Sequence, residues 1–131
     1  MLGIDTNVLV RLIVSDDATQ TRTARRLVDE TLARDEIVLV SLLVLLETEG
    51  VLRSRYELAK EAVLDAMRQL LASRELSFED ESSVEEALYH WKDAVCGFAD
   101  CLIVAHNRRL RCRATATFDS RALRVPGFVA V

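Results

Sequence analysis

Short apolar runs alternate with longer stretches of helical periodicity along the whole chain, and this alternation limits the fold more than any other feature of the sequence. "LGID" ends in an acid and gives way to "TNVLVRLIV", where Thr6 or Asn7 can cap a helix. "DATQTRTARRLVDETLARD" repeats Ala24, Leu27, Val28, Thr31 and Leu32 at helical spacing, with charge on the opposite side. "EIVLVS" is short, β-branched and uninterrupted, as suits a parallel strand buried on both faces. A helix from Leu42 to about Arg53 follows, then an amphipathic helix presenting Ala59, Val63, Ala66, Met67 and Leu70 on one side. "ELSF" predicts a short strand, "SSVEEALYHWKDAV" a helix capped at Ser82 or Ser83, and "FADCLIVAHNRRL" a further helix. "CRATATF" and "PGFVAV" are the last strands, with "DSRAL" between them as a turn or short helix. Strands that alternate with helices build a parallel sheet with right-handed crossovers. The predicted class is α/β, a three-layer α/β/α sandwich with a mostly parallel central sheet.

At 131 residues the chain is expected to form a single domain spanning 1–131, able to bury roughly two thirds of its unfolded surface. "MLGIDTN" lacks the basic and apolar regions of a signal peptide, and no apolar run approaches the roughly 20 residues needed to span a bilayer. These features predict a cytoplasmic protein with no membrane partner. Cys96, Cys101 and Cys112 are odd in number and form no C-x-x-C pair, so buried reduced thiols are expected. A net charge of −4 argues against gripping nucleic acid by bulk positive field alone. Local basic clusters remain, in "HNRRLRCR" (Arg108, Arg109, Arg111, Arg113) and "TRTARR" (Arg22, Arg25, Arg26). Arginine matches phosphate oxygens bidentately, so these clusters are either phosphate contacts or solvated helix faces.

In open α/β sheets ligands bind outside the carboxyl ends of the strands, and that rule selects acids by position. Asp5 ends the first strand, Asp119 follows "CRATATF", and Asp100 lies in the first turn of the helix before that strand. Each also has an ordinary reading as a turn, cap or helix N-terminal acid. "VSLLVLLETEGVL" adds Glu47 and Glu49 within a run of leucine and valine. Glu47 is flanked at helical spacing by Leu43, Val44, Gly50 and Val51, which predicts an inward carboxylate; Glu49 has Arg53 four residues on, which predicts a surface ion pair. A buried carboxylate needs a cation, and no Lys or Arg stands on the face assigned to Glu47.

A metal ion shared by Asp5, Glu47, Asp100 and Asp119 meets that need. Two carboxylates about 4 Å apart repel by about 4 kcal/mol at an effective dielectric of 20, so such a cluster requires cations. All-oxygen ligation selects Mg²⁺ or Mn²⁺ over Zn²⁺, and neither His90 nor His106 has a partner at zinc-motif spacing. Both histidines are expected on helix surfaces or in packing.

These residues resemble the PIN-domain nucleases, in particular the small VapC-type toxins of type II toxin–antitoxin pairs. The similarity covers nearly the whole chain and rests on "IDTNVLV", "VSLLVLLETEGVL", "GFADCLIVA", "TATFD" and "VPGF" in that order. It implies that Asp5, Glu47, Asp100 and Asp119 are the acidic, metal-binding catalytic quartet, with Thr6, Asn7 and Thr117 as hydrogen-bonding supports. It further implies a Mg²⁺- or Mn²⁺-dependent endoribonuclease, usually a homodimer, inhibited by a small antitoxin protein. Many members carry another acid three residues before the Asp of the "FAD" segment; here that position is Gly97, and Asp93 is one turn earlier.

The expected chemistry is hydrolysis of RNA phosphodiester bonds, in which bound ions activate water for in-line attack while Arg108, Arg109 and Arg111 hold flanking phosphates. A single-stranded loop is the expected target. A phosphotransfer enzyme with an Asp nucleophile would want D-x-D after the first strand, where "DTN" has Asn7; a receiver domain would want adjacent acids there and a late-strand Lys. The surviving alternatives are an RNA-processing PIN nuclease that is not a toxin and a non-catalytic PIN-like scaffold for RNA or protein. A mean hydropathy of +0.14 leaves room for apolar surface covered by other chains, or for a well-filled core.

Overall fold

The computed structural model describes residues 1–131, which divide into two compact units, Met1–Glu79 and Asp80–Val131. In the first unit the order is β1 (Leu2–Gly3), α1 (Thr6–Ile13), α2 (Ala18–Ala33), β2 (Val38–Val40), α3 (Leu42–Ser54), α4 (Lys60–Ala72) and β3 (Ser77–Phe78). The strands form a parallel sheet in the order β1-β2-β3, with Leu2 opposite Val38 and Val40 opposite Phe78. β2 is central, which accounts for its β-branched sequence: Val38 and Val40 are buried, as expected of a strand paired on both edges. The core around it includes Leu9, Val28, Leu45, Leu52, Val63 and Met67.

The second unit runs α5 (Glu81–Trp91), α6 (Phe98–Arg109), β4 (Thr115–Thr117), a single 3₁₀ turn (Ala122–Arg124) and β5 (Phe128–Ala130). β4 and β5 pair in parallel, with Ala116 opposite Val129. α5 and α6 pack through Val84, Ala87, Leu88 and Trp91 of the first and Phe98, Cys101, Leu102 and Ala105 of the second, all buried. The α/β class and the parallel pairing expected from the alternating pattern are both present. No helix is long and apolar enough to cross a membrane.

Helix starts differ from expectation in a consistent direction. The first helix is capped by Asp5, whose side chain accepts from Thr6 N at 2.8 Å, rather than by Thr6 or Asn7. Asp80, not Ser82 or Ser83, caps α5. In each case an acid upstream of the candidate hydroxyl takes the orphaned N–H, since a carboxylate is the stronger acceptor at the positive end of a helix. The α3 cap is Ser41, whose Oγ accepts from Val44 N at 3.3 Å. Of the cysteines, Cys96 and Cys101 are buried with sulfurs 4.0 Å apart, whereas Cys112 is exposed, contrary to the expectation of three buried thiols. It follows the left-handed residue Arg111 and is flanked by two exposed arginines, so the local chain has no core to enter.

Candidate functional site

Asp5 and Asp119 follow strands, Glu47 stands on the helix after a strand, and Asp100 opens the helix that follows α5. Asp5 is the residue between β1 and α1, and its N-cap role spends Oδ1 on the helix while the side chain remains at the surface. Glu47 lies in the second turn of α3, the helix that follows β2. Asp100 is in the first turn of α6, where Oδ2 accepts from Gly97 N at 3.2 Å. Asp119 follows β4. Its own N–H donates to Thr117 Oγ1 at 3.0 Å, and its Oδ1 accepts from Arg121 N at 2.9 Å. Thr117 thus holds the backbone of the acid two residues on.

The two glutamates of α3 are the reverse of expectation in burial. Glu47 is exposed, and Glu49 is 5% exposed. The predicted pairing of Glu49 with Arg53 is present at 2.9 Å, but on a carboxylate buried beside Leu45, Thr48 and Leu52 on the buried side of α3. The cause lies in the helix composition. With leucine or valine at each of its first five positions, the helix start carries almost no phase, and Leu43 at 79% exposure marks the face that the fold leaves outward. Glu47 thus needs no partner to offset burial; what marks it is an exposed carboxylate with no hydrogen bond or ion pair, one helix after a parallel strand.

The supports and cations divide similarly. Thr6 is buried, donates its N–H to Asp5 and leaves its hydroxyl without a partner; the only other such buried side-chain atom is Thr48 Oγ1. Asn7 is exposed and lines a shallow cavity with Arg11, Gln20 and Leu27. Arg108 pairs with Glu86 and donates from Nη2 to Pro126 O at 2.8 Å, and Arg109 Nε lies 3.0 Å from Asp80 Oδ1. Those two arginines are engaged within their own unit. Arg111, at a φ of 69°, has an exposed side chain in no ion pair. Asp93 is exposed to solvent, its Oδ2 4.0 Å from Lys92 Nζ. A cavity of about 570 Å³ bounded by Leu12, Ile13, Leu58, Ala66, Leu70 and Leu76 contains none of the four acids.

Two constellations had no counterpart in the sequence reading. Arg121 lies two residues beyond Asp119, with Nε and Nη2 each 3.4 Å from its carboxylate. Its backbone and side-chain hydrogen bonds hold the Asp119 carboxyl below the ordinary range, so the group is ionised at neutral pH. The D-S-R spacing of a carboxylate-capped turn was the available signal. The second is a hub at Asp80, a left-handed residue with φ 53° whose carboxylate accepts from Ser83 Oγ at 2.5 Å, His106 Nδ1 at 2.6 Å and Arg109. His106 is a carboxylate partner, where helix-surface packing had been expected. Burial alone would raise the Asp80 pKa, but the hydrogen bonds from Ser83 and His106, with the charge of Arg109, outweigh it and hold the group low.

Donor chemistry and grouping bear differently on a metal. Asp5, Glu47, Asp100 and Asp119 offer oxygen alone, which suits a hard divalent cation. Within neither unit do three candidate ligand side chains come together; Asp5 and Glu47 belong to the first, Asp100 and Asp119 to the second.

Against this geometry, the PIN-domain family model matches residues 3–128, which covers all four acids. The chain belongs to the PIN-domain family of nucleases. Among solved structures, the chain is similar to the crystal structure of Mycobacterium tuberculosis VapC20, a sarcin–ricin loop cleaving toxin. The identity is 20%, covering 97% of this chain and 96% of that one, with a TM-score of 0.43. No curated protein sequence matches the chain.

Proposed function

We propose that this protein is a divalent-metal-dependent endoribonuclease that hydrolyses RNA phosphodiester bonds, acting in the cytoplasm as the toxin of a toxin–antitoxin pair. The observation that supports it most directly is positional. Within one family match, Asp5 and Asp119 follow parallel strands and Glu47 stands on the helix after one, where α/β folds present ligands, while Asp100 lies in the first turn of α6. Asp5, Glu47, Asp100 and Asp119 would hold Mg²⁺ or Mn²⁺, which when bound supplies an activated water and neutralises charge developing on the phosphate.

The chain's own residues have separable tasks. Asp5 keeps Oδ2 available while Oδ1 secures the start of α1. Glu47 contributes a carboxylate with no competing partner. Thr117 fixes the backbone from which Asp119 projects, and Arg121 orients its carboxylate through a backbone hydrogen bond of 2.9 Å. Of the three arginines expected at phosphates, Arg111 is the one in no ion pair, since Arg108 and Arg109 are already paired. Dimerisation and an antitoxin partner belong to this reading as consequences of the resemblance.

Gly97 favours a second reading, a PIN-like scaffold that binds RNA or protein without cleaving. The glycine removes one acid many relatives carry, although a side chain there would meet only Asp100 Oδ2 at 3.9 Å. Incubating RNA with Mn²⁺ and either wild type or Asp5→Ala, then sequencing the new ends, separates the two. Ends that depend on Asp5 are expected, and their absence would overturn the nuclease reading.

A further inference from the structure

Phe118 is 91% exposed, more than any other large hydrophobic side chain in the protein, and it stands between Thr117 and Asp119. It is not at a loose end of the chain. Thr117 O accepts from Val131 N at 3.2 Å, Thr117 Oγ1 accepts from Asp119 N at 3.0 Å, and Asp119 O accepts from Ala122 N at 3.1 Å, so the backbone on both sides is pinned. An aromatic ring held in water against the hydrophobic effect calls for a partner that brings its own apolar face. Arg121 adds a charge argument. Its guanidinium is mostly exposed, and both contacts to Asp119 are long, at 3.4 Å, so it can exchange that acid for a phosphate oxygen.

We infer that Phe118 is a stacking platform for an unpaired base of single-stranded RNA, with Arg121 meeting a neighbouring phosphate, so that the two position the strand at Asp119. Aromatic rings accept any base because every base has a π face, and a cation beside the ring follows the backbone. Positioning by a stacked base adds to the phosphate contacts expected from the arginines. The inference rests on the nuclease reading for the meaning of Asp119, while its test reads binding separately from cleavage.

The probe is a fluorescent single-stranded oligoribonucleotide, with and without abasic positions, titrated against the full chain carrying Asp5→Asn and followed by anisotropy. Phe118→Ala is expected to weaken binding about tenfold, Phe118→Trp to restore it, and the abasic probe to erase the difference, as loss of one base stack predicts. Arg121→Ala should flatten the logarithmic salt dependence by about 0.7, the release of one single-strand counterion. Equal affinity of Phe118→Ala and its parent would overturn the inference, as would a shift in sedimentation with RNA affinity unchanged, since the ring would then be covered by another copy of the chain. Asp5-dependent cleavage with no effect of Phe118→Ala sinks this inference alone. Phe118-dependent binding with no cleavage by wild type sinks the nuclease reading alone.

Discussion

Arg53 reaches back one helical turn to Glu49, its Nε 2.9 Å from Oε2, and holds a carboxylate that α3 carries on its buried face. The contact raises the Arg53 pKa, through the hydrogen bond first and the charge second. Glu47, two residues earlier, is in solvent and bonded to nothing.

Exchanging each acid for its amide therefore separates stability from chemistry. Glu49→Gln should lower stability by about 0.5–1.5 kcal/mol, because the charge-assisted bond is lost on a side whose partner is exposed, and should leave most cleavage per folded molecule. Glu47→Gln should leave the unfolding midpoint in place and abolish metal-dependent cleavage. Denaturant unfolding and a Mn²⁺ cleavage assay on both variants check this; equal losses of activity would refute the assignment.

Asp80 sets an acid limit. Its folded pKa lies below the ordinary 3.8, so the unfolded chain takes up this proton first as the solution is acidified. The contribution is complete above the unfolded value and is lost as pH falls through the lower folded one. Asp80→Asn should cost about 1–3 kcal/mol at neutral pH by weakening the contacts with His106 and Arg109, and should flatten the dependence of stability on pH below about 4. Urea midpoints measured at several pH values between 6 and 2.5 test both parts.

Gly127 has a φ of 104°, and a Cβ there would meet Arg108 Nη2 at 2.6 Å and Val104 Cγ2 at 2.8 Å. Gly127→Ala is thus strained in the backbone and blocked by the arginine that bonds Pro126 O. A loss of about 2 kcal/mol is expected, seen as a lower Tm, and Arg108→Ala should destabilise through the same contact. Arg111→Ala should leave Tm unchanged.

Elements were legible in the sequence wherever the period was clear. β2 announces itself by three β-branched residues in an apolar run, and α2 by charge opposite Ala24 and Val28. α3 hid its orientation because its first five residues are apolar all round and its two acids stand only two positions apart, so the nearby cation Arg53 points to the wrong side for Glu49. Asp80 could not be read at all, since its histidine partner is 26 residues away and a left-handed acid has no spacing signature. The positions of Asp5 and Asp119 at strand ends and of Asp100 in a first helical turn are legible because each is a local property. Arg121 is legible in the D-S-R spacing, but the exposure of Phe118 depends on how that turn closes, which composition does not encode.

That turn is one of several places where this chain reverses without glycine. Asp35, Glu57 and Arg111 follow α2, α3 and α6 with φ values of 58°, 52° and 69°, while Gly127 is the only glycine at positive φ. A left-handed conformation costs an L-residue about 1 kcal/mol, so each helix end is held by its surroundings against a local preference to open. Glu57 is exposed, and glycine there would relax the bend between α3 and α4 while removing no buried contact. The fold thus carries, at the ends of three helices, joints whose stiffness a single residue sets.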